Sequence, residues 1–524
     1  MNAAFSKLRE LWHPQALRGG RSVIQTRNCH WLSLSCACAI VGLGYTFIAS
    51  AGRFTNWPTY ELRIDQLAEA FRAGHLHLLE EPSPALLAAE HPFDPANRSL
   101  WYWDASLYNG HYYWYWGPVP ALLLAAVKTL FRIATPLGDQ YTTFALALLQ
   151  FLAGALLLDR LARRLYDRIP SGLVALSVVA FGFANPAPFM LARQCIYEAA
   201  IIGGHAFVLL GISLAFEAVW WSGVPRRSLA FAVGAGVAWA LALGCRVSLA
   251  PAIPPLAVVT ALAMSWQNAR RWRGAFKGLL ALGTPLTLGA GGLLIYNKAR
   301  FEQWFEFGQH YQLTWVDFHM SKAFVAANAY SYALRPARLA CKFPFVSSSI
   351  GMSPEQVFPS WFRLRPKYFV YEQVVGVFVS TPWAWLVIPA LVLLGYRLWR
   401  AMRPRAPLDA VSVCTIWALL VLLFASLFTL ALPLYAPSAT MRYLGDAVGA
   451  LILLASLGGF ATYVALRRVA VLRRLATTLL AAGAVASAAV GFALGFDGYY
   501  GHFSQHNPGL LQELESRYSV CGKT

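Results

Sequence analysis

Long apolar stretches alternate with short basic clusters along most of this chain. Apolar windows of membrane-spanning length fall at about 31–51, 141–158, 171–190, 199–220, 229–249, 251–267, 276–296, 371–396, 409–432, 444–466 and 475–496. A helix needs about 20 such residues to cross a bilayer. The basic clusters sit in every alternate loop: Arg160, Arg163, Arg164 and Arg168; Arg226 and Arg227; Arg270, Arg271, Arg273 and Lys277; Arg397, Arg400, Arg403 and Arg405; Arg467, Arg468, Arg473 and Arg474. That is the positive-inside pattern. It predicts an all-α polytopic membrane protein with about eleven transmembrane helices. The N-terminus is expected in the cytoplasm and the C-terminus outside it.

This reading divides the chain into a cytoplasmic basic tail (1–30), a first span (31–51) and a long extracytoplasmic loop (52–140). Spans 2 to 7 follow (141–296), then a second outer loop (297–370), spans 8 to 11 (371–496) and an outer tail (497–524). Within the first loop, Ile64, Leu67, Ala68 and Phe71 recur at helical spacing and Gly74 ends the run, which predicts an amphipathic helix lying on the membrane. Residues 118–134 are apolar but short and carry Lys128. If they crossed the bilayer, the Arg160–Arg168 cluster would face outward, so the interfacial placement is preferred.

Composition narrows the class. The chain has 524 residues, of which 58% are hydrophobic and only 13% charged. Its formal net charge of +19 would suit nucleic acid, but the charges lie in short loops between spans, so no nucleic-acid partner is expected. The eight cysteines show no zinc-ligand spacing. Cys341 and Cys521 both fall outside the cytoplasm, which permits one bridge. No cleavable signal is evident, and the tail reads as part of a signal anchor. Arg- and Ala-rich usage fits a bacterial inner membrane.

Candidate chemistry gathers at the outer face. Residues 101–120 are a dense aromatic run holding Asp104 and interrupted by Asn109-Gly110, Pro118 and Pro120. Ionisable groups near membrane depth are costly and mark function by default. The list is Glu61, Asp65 and Asp104 in the first loop, Arg193 and Glu198 between spans 3 and 4, and His205 two turns deeper. Arg246 at the end of span 5, and Arg442 and Asp446 flanking Tyr443, complete it. Each has a bland alternative: Arg193 pairing with Glu198, Arg442 with Asp446, Arg246 snorkelling, His205 packed in the core. Glu302, Glu306 and His310 share a four-residue spacing that would place them on one helix face, solvated or metal-binding.

The order of a span, a long outer loop with an acidic amphipathic helix, an aromatic-proline turn and then many spans resembles the GT-C superfamily of membrane glycosyltransferases. It is similar to the protein O-mannosyltransferase and aminoarabinose–lipid A transferase branches, and most to bacterial members with patterns like Asp104-Ala-Ser-Leu-Tyr-Asn-Gly-His-Tyr-Tyr, Gly117-Pro-Val-Pro-Ala, Ile196-Tyr-Glu-Ala-Ala, Tyr296-Asn-Lys-Ala-Arg-Phe and Arg442-Tyr-Leu-Gly-Asp446. The resemblance implies a GT-C-like bundle that moves a sugar from a polyprenyl-phosphate donor to a glycan, lipid or protein acceptor outside the cytoplasm, with inversion. It implies Asp104 or Glu61 as base and Glu198 as a second catalytic carboxylate. Arg442, Arg246 and Arg193 would meet donor phosphate. Tyr108, Asn109, Tyr112, Tyr113, His205 and Tyr443 would line the substrate. The family's paired Asp-Glu reads Tyr60-Glu61 here, so the choice of base stays open. The need for a divalent metal is equally open. Two other classes compete: a transporter or flippase of a lipid-linked substrate, which internal repeats would mark, and a non-catalytic envelope assembly protein.

Overall fold

The computed structural model describes residues 23–521 apart from 185, 267–270, 315–318, 349–357, 363–367, 369–371 and 404–407; side chains are described from residue 29, residue 500 aside. The expected basic tail therefore lies mostly outside the described residues.

The larger helices, in chain order, are α1 (Val23–Ala49), α2 (Arg63–Arg72), α3 (Val119–Leu130), α4 (Asp139–Leu165), α5 (Ser171–Phe183), α6 (Ile196–Trp220), α7 (Pro225–Cys245), α8 (Ile253–Met264), α9 (Arg271–Phe301), α10 (Val325–Leu334), α11 (Val387–Ala401), α12 (Ala410–Phe428), α13 (Val448–Leu466), α14 (Ala470–Asp497) and α15 (Pro508–Tyr518). Among the described residues, nine helical segments are long and apolar enough to cross a membrane: those of α1, α4, α6, α7, α9, α11 with its 3-10 lead from Pro382, α12, α13 and α14. The shorter α5 and α8 fill the two remaining predicted windows. The fold is an all-α multi-pass bundle whose most enclosed span is α6, with 89% of its apolar window buried.

Three boundaries differ from the sequence reading, two of them for a backbone reason. The window 171–190 breaks after Phe183 and resumes as Ala187–Leu191, because Pro186 cannot continue a helix. The window 371–396 is broken: a short helix, Val377–Ser380, stops at Thr381, and helix resumes from Pro382. There the Trp383 N–H donates to Ser487 Oγ at 2.8 Å and Trp383 Nε1 to Ser456 Oγ at 3.0 Å, so this helix starts at mid-depth, tied to α14 and α13. Helix α1 begins at Val23, earlier than residue 31.

The bundle has a basic end and an opposite end. At the first, His30 meets Asp159 at 2.7 Å, Arg164 meets Glu217 at 3.0 Å, and Arg467 meets Asp167 at 3.2 Å. These contacts draw together the start of α1 and the ends of α4, α6 and α13. The opposite end carries the first loop, the second loop and the C-terminal segment. The bridge that the sequence only permitted forms there: Cys341 bonds Cys521 across a separation of 180 residues. It holds the end of α15 to the second loop, with Val520 N–H donating to the Cys341 carbonyl at 2.8 Å.

The first loop folds as its pattern predicts. Helix α2 buries Ile64, Leu67, Ala68 and Ala70 and ends before Gly74, whose φ of +82° lies in the left-handed region. Helix α3, twelve residues, rises only about 18 Å, short of a hydrocarbon core about 30 Å thick. Lys128, the residue that made this stretch ambiguous, is fully buried between α3 and α2, 2.6 Å from Asp65 and 2.5 Å from Glu69. Asp65 is thus committed to this pair. Asp139, at the start of α4, accepts from the Ile64 N–H at 2.9 Å, and its own N–H donates to the Glu61 carbonyl at 3.1 Å. That clamp fixes residues 61–64 over α4 and satisfies an orphan donor of α2.

Lys128→Ala is expected to destabilise the chain by about 3–5 kcal/mol, because it strands a buried Asp65 charge. Lys128→Met with Asp65→Leu is expected to recover most of that loss. Thermal unfolding in detergent measures both; equal stability of the single variant and the wild type would remove the pair from the fold's supports.

Candidate functional site

Asp104 lies at the junction of the first and second loops. Its backbone has a φ of +65°, a conformation Asp tolerates better than most residues. The surrounding ladder holds it there: Asp104 N–H donates to the Leu313 carbonyl at 3.1 Å and Leu313 N–H to the Ala105 carbonyl at 2.8 Å, with Ser106 bridged to Gln312. The next residues form a two-strand hairpin, β1 (Ser106–Tyr108) and β2 (His111–Tyr113), turned by Asn109 and Gly110, both at positive φ. The aromatic run then returns toward α7. At Gly117 a side-chain carbon would sit 2.1 Å from the Gly244 carbonyl oxygen, so only glycine lets the loop seat on the end of that helix.

The Asp104 side chain is 9% exposed. The Tyr197 hydroxyl donates to its Oδ2, and Gln312 Nε2 donates to Oδ1 at 2.8 Å. Arg63 Nη1 lies 3.8 Å from Oδ2, while Arg63 Nη2 lies 3.3 Å from Glu61. The Arg63 guanidinium also stacks over Trp114 at 4.8 Å and Trp116 at 5.7 Å. Burial pushes the Asp104 carboxyl above its ordinary range, and Arg63, Gln312 and Arg442 hold it back only in part. The result is a carboxylate poised between burial, which favours the acid, and its partners, which favour the anion.

A cationic side faces this carboxylate. Arg442 sits 4.7 Å over the Tyr197 ring and 3.3 Å from Glu372. Arg193 lies 6.0 Å from the same ring and 5.8 Å from Tyr499. Glu198, next to Tyr197 in the first turn of α6, is wholly buried, and neither carboxylate oxygen has a hydrogen-bond partner; Arg193 and Arg442 act on its charge from nearby. Tyr499 braces Arg442, its hydroxyl accepting from the Arg442 N–H at 3.0 Å.

Glu61, Asp104, Arg193, Glu198 and Arg442 therefore share one end of the bundle and act on one another. The other expected residues separate. Arg246 is paired with Asp446 at 2.8 Å and stacks over Tyr443 at 5.2 Å. So the ion pairs are Arg246–Asp446 and Arg442–Glu372, and an Arg442–Asp446 pair is not formed. His205 is buried in the core, its Nδ1 at 2.7 Å from Gln150 Nε2, as in the bland reading of that histidine. Tyr108 and Tyr113 pack on Phe301, Tyr112 on Tyr102, and Asn109 sits half-buried in the turn; no described bond or ring contact joins these four to Asp104. Glu302, Glu306 and His310 do not share a helix face, because α9 ends at Phe301 and Gly308 turns left-handed. Glu306 instead accepts from the Gly308 N–H at 2.6 Å.

Arg63, Tyr197, Gln312 and Glu372 were not anticipated. An arginine in the first turn of an amphipathic helix reads as solvated, and Gln312 and Glu372 lie in a loop without periodicity. Tyr197 had one signal, its place beside Glu198 in a motif already singled out.

Among the described residues, no three His, Cys, Asp or Glu side chains are placed to hold a metal ion. The donor set agrees: between Glu61 and Asp104 the compensating positive charge is Arg63.

No protein-family model matches the chain, and no curated protein does. Among solved structures, the apo crystal structure of the Archaeoglobus fulgidus oligosaccharyltransferase is similar to it, at 12% identity with a TM-score of 0.40. The alignment covers 94% of this chain and 57% of that one, so this chain spans little more than half the length of that enzyme. A likeness of this size does not carry an assignment of function.

Arg63→Gln is expected to raise the Asp104 pKa further, since Arg63 is the partner that most favours the charged carboxylate. An infrared titration of the carboxylic-acid carbonyl stretch, assigned by its loss in Asp104→Asn, measures the shift. An unmoved midpoint would show that the two groups are uncoupled.

Proposed function

We propose that the chain is a membrane glycosyltransferase that moves a sugar from a polyprenyl-phosphate donor to an acceptor hydroxyl outside the cytoplasm. The observation that carries this reading is the placement of a buried, poised carboxylate, Asp104, within one cluster with Arg442 and Arg193 at a single end of an all-helical membrane bundle. The resemblance of the loop order and motifs to GT-C enzymes supports it.

Two independent features support an extracytoplasmic site. The arginine-rich loops lie at the opposite end, as the positive-inside rule asks of a cytoplasmic face. The Cys341–Cys521 bridge lies at the site end, and disulfides persist in oxidising compartments.

The chemistry follows from the groups. Asp104 accepts the acceptor's hydroxyl proton as its oxygen attacks the anomeric carbon. The bond from that carbon to the phosphate oxygen breaks, and the polyprenyl phosphate leaves with the electron pair. Arg442 and Arg193 meet the charge that develops on it, where preorganised cations act most strongly. Attack opposite the departing phosphate inverts the carbon. Tyr197 orients Asp104, while Glu61 holds Arg63 and so tunes the base. Glu198 balances Arg193 and Arg442. Arg246, held by Asp446, positions Tyr443 beside Arg442.

Asp104→Asn is expected to lower transfer by about 10²–10⁴-fold with folding and insertion intact. Wild-type turnover by that variant would remove Asp104 from the mechanism. In the wild type the active form is the carboxylate, so activity falls as pH drops through the Asp104 pKa. Because that pKa is raised, the acid limb of kcat/KM is expected above the ordinary carboxylate range. Arg63→Gln is expected to move the limb upward again. A reporter joined after Thr524 is expected to be active outside the cytoplasm; activity inside alone would reverse the topology.

A further inference from the structure

We propose that Arg300 anchors a second, lipid-side site that takes the phosphodiester headgroup of a glycerophospholipid between α7 and α9. The starting point is a charge without a counter-ion among the described residues. Arg300 is 3% exposed, near the end of α9. Its guanidinium stays ionised in any protein setting. Nη1 donates to the Trp114 carbonyl at 2.8 Å and Nη2 to Asn297 Oδ1 at 2.9 Å, both neutral acceptors, and buried Nε has no partner. Aromatic faces supply the rest of its surroundings, with Tyr296 at 3.8 Å and Phe301 at 4.6 Å. Glu306 acts on it only from further off and spends its oxygen on the Gly308 N–H.

Another deeply buried cation of the outer end, Lys128, is treated differently: it has Asp65 and Glu69. Arg246 and Arg442, less deeply placed, also have carboxylates, Asp446 and Glu372. A buried charge is tolerated when paired. Arg300, by that rule, lacks an anion that the described residues do not supply.

The space beside it says what kind. Arg300 lines a pocket whose walls are Tyr115, Trp116, Leu243, Val247 and Leu293. Leu243 and Leu293 belong to α7 and α9, and the outer face of α9 carries exposed Leu288 and Ile295, the surface that meets hydrocarbon. An occupant would therefore have an anionic end at Arg300 and an apolar body along Leu243, Val247 and Leu293. That describes a lipid phosphate and excludes a free anion, which would gain nothing from those walls. A single guanidinium matches the single negative charge of a phosphodiester. A phosphomonoester, such as the polyprenyl phosphate released at the Asp104 centre, brings up to two charges, and that centre holds paired arginines.

The site borders that centre through Trp116, whose ring meets Tyr197 edge-on at 4.8 Å and lies under Arg63. Lipid binding at Arg300 does not depend on glycosyl transfer, and its test reads binding alone.

The full-length chain is loaded with phosphatidylglycerol in nanodiscs, moved to detergent and weighed by native mass spectrometry. The wild type is expected to retain a single phosphatidylglycerol, and Arg300→Gln about tenfold less. Leu293→Trp, which fills the port and leaves the Arg300 bonds alone, is expected to lose retention to a similar degree. It decides the matter if the arginine variant fails to fold. Asp104→Asn is expected to bind as the wild type does. Diacylglycerol and inorganic phosphate are expected not to be retained. Equal retention by wild type, Arg300→Gln and Leu293→Trp would overturn the proposal, as would equal retention of diacylglycerol. Displacement of phosphatidylglycerol by an equal amount of polyprenyl phosphate would overturn the phosphodiester assignment.

Discussion

Burying a carboxylate at one end of a membrane bundle is the constraint on which that end of the protein depends. Asp104 is removed from water by two loops, yet must remain able to hold a charge. It does so because a tyrosine from α6, a glutamine from the second loop and an arginine from α2 reach it together. Each of those side chains is in turn fixed by something else. The Asp139 clamp sets residues 61–64, the ladder through Leu313 sets Gln312, and the first turn of α6 sets Tyr197. Removing any one support would leave a buried polar group unpaired, which costs more than the bond itself contributes.

The same logic orders the cations. Lys128, Arg246 and Arg442 each sit within reach of a carboxylate, while Arg193 and Arg442 also bear on Glu198. This end of the bundle is thus a lattice of opposed charges in a low-dielectric setting, where such charges act more strongly than in water. Two disulfide-linked segments close over one side of it, so the C-terminal helix α15 belongs to the architecture of that end.

The helices were legible because their signal is long and redundant. A window of about twenty apolar residues survives small errors, and alternate basic loops check its register. Boundaries failed where one residue decides: Pro186 cut a window and Pro382 broke another. Asp104 stood out because a charge is conspicuous among tryptophans and tyrosines. Its partners did not, because a site formed by tertiary contact leaves no periodicity. Arg63 looked like a solvated face, and Gln312 lies 208 residues from the carboxylate it binds. The hairpin tyrosines were expected from composition to line the substrate; the structure adds that Tyr108 and Tyr113 pack against Phe301.

The most direct measurement of the central claim is mass spectrometry of polyprenyl-phosphate sugars and envelope glycans extracted from cells with and without the protein. Cells lacking it are predicted to accumulate one polyprenyl-phosphate sugar and to lose that sugar from one glycan. The wild-type gene would restore both, and the Asp104→Asn variant neither. An unchanged lipid-linked pool together with unchanged glycans would contradict the account.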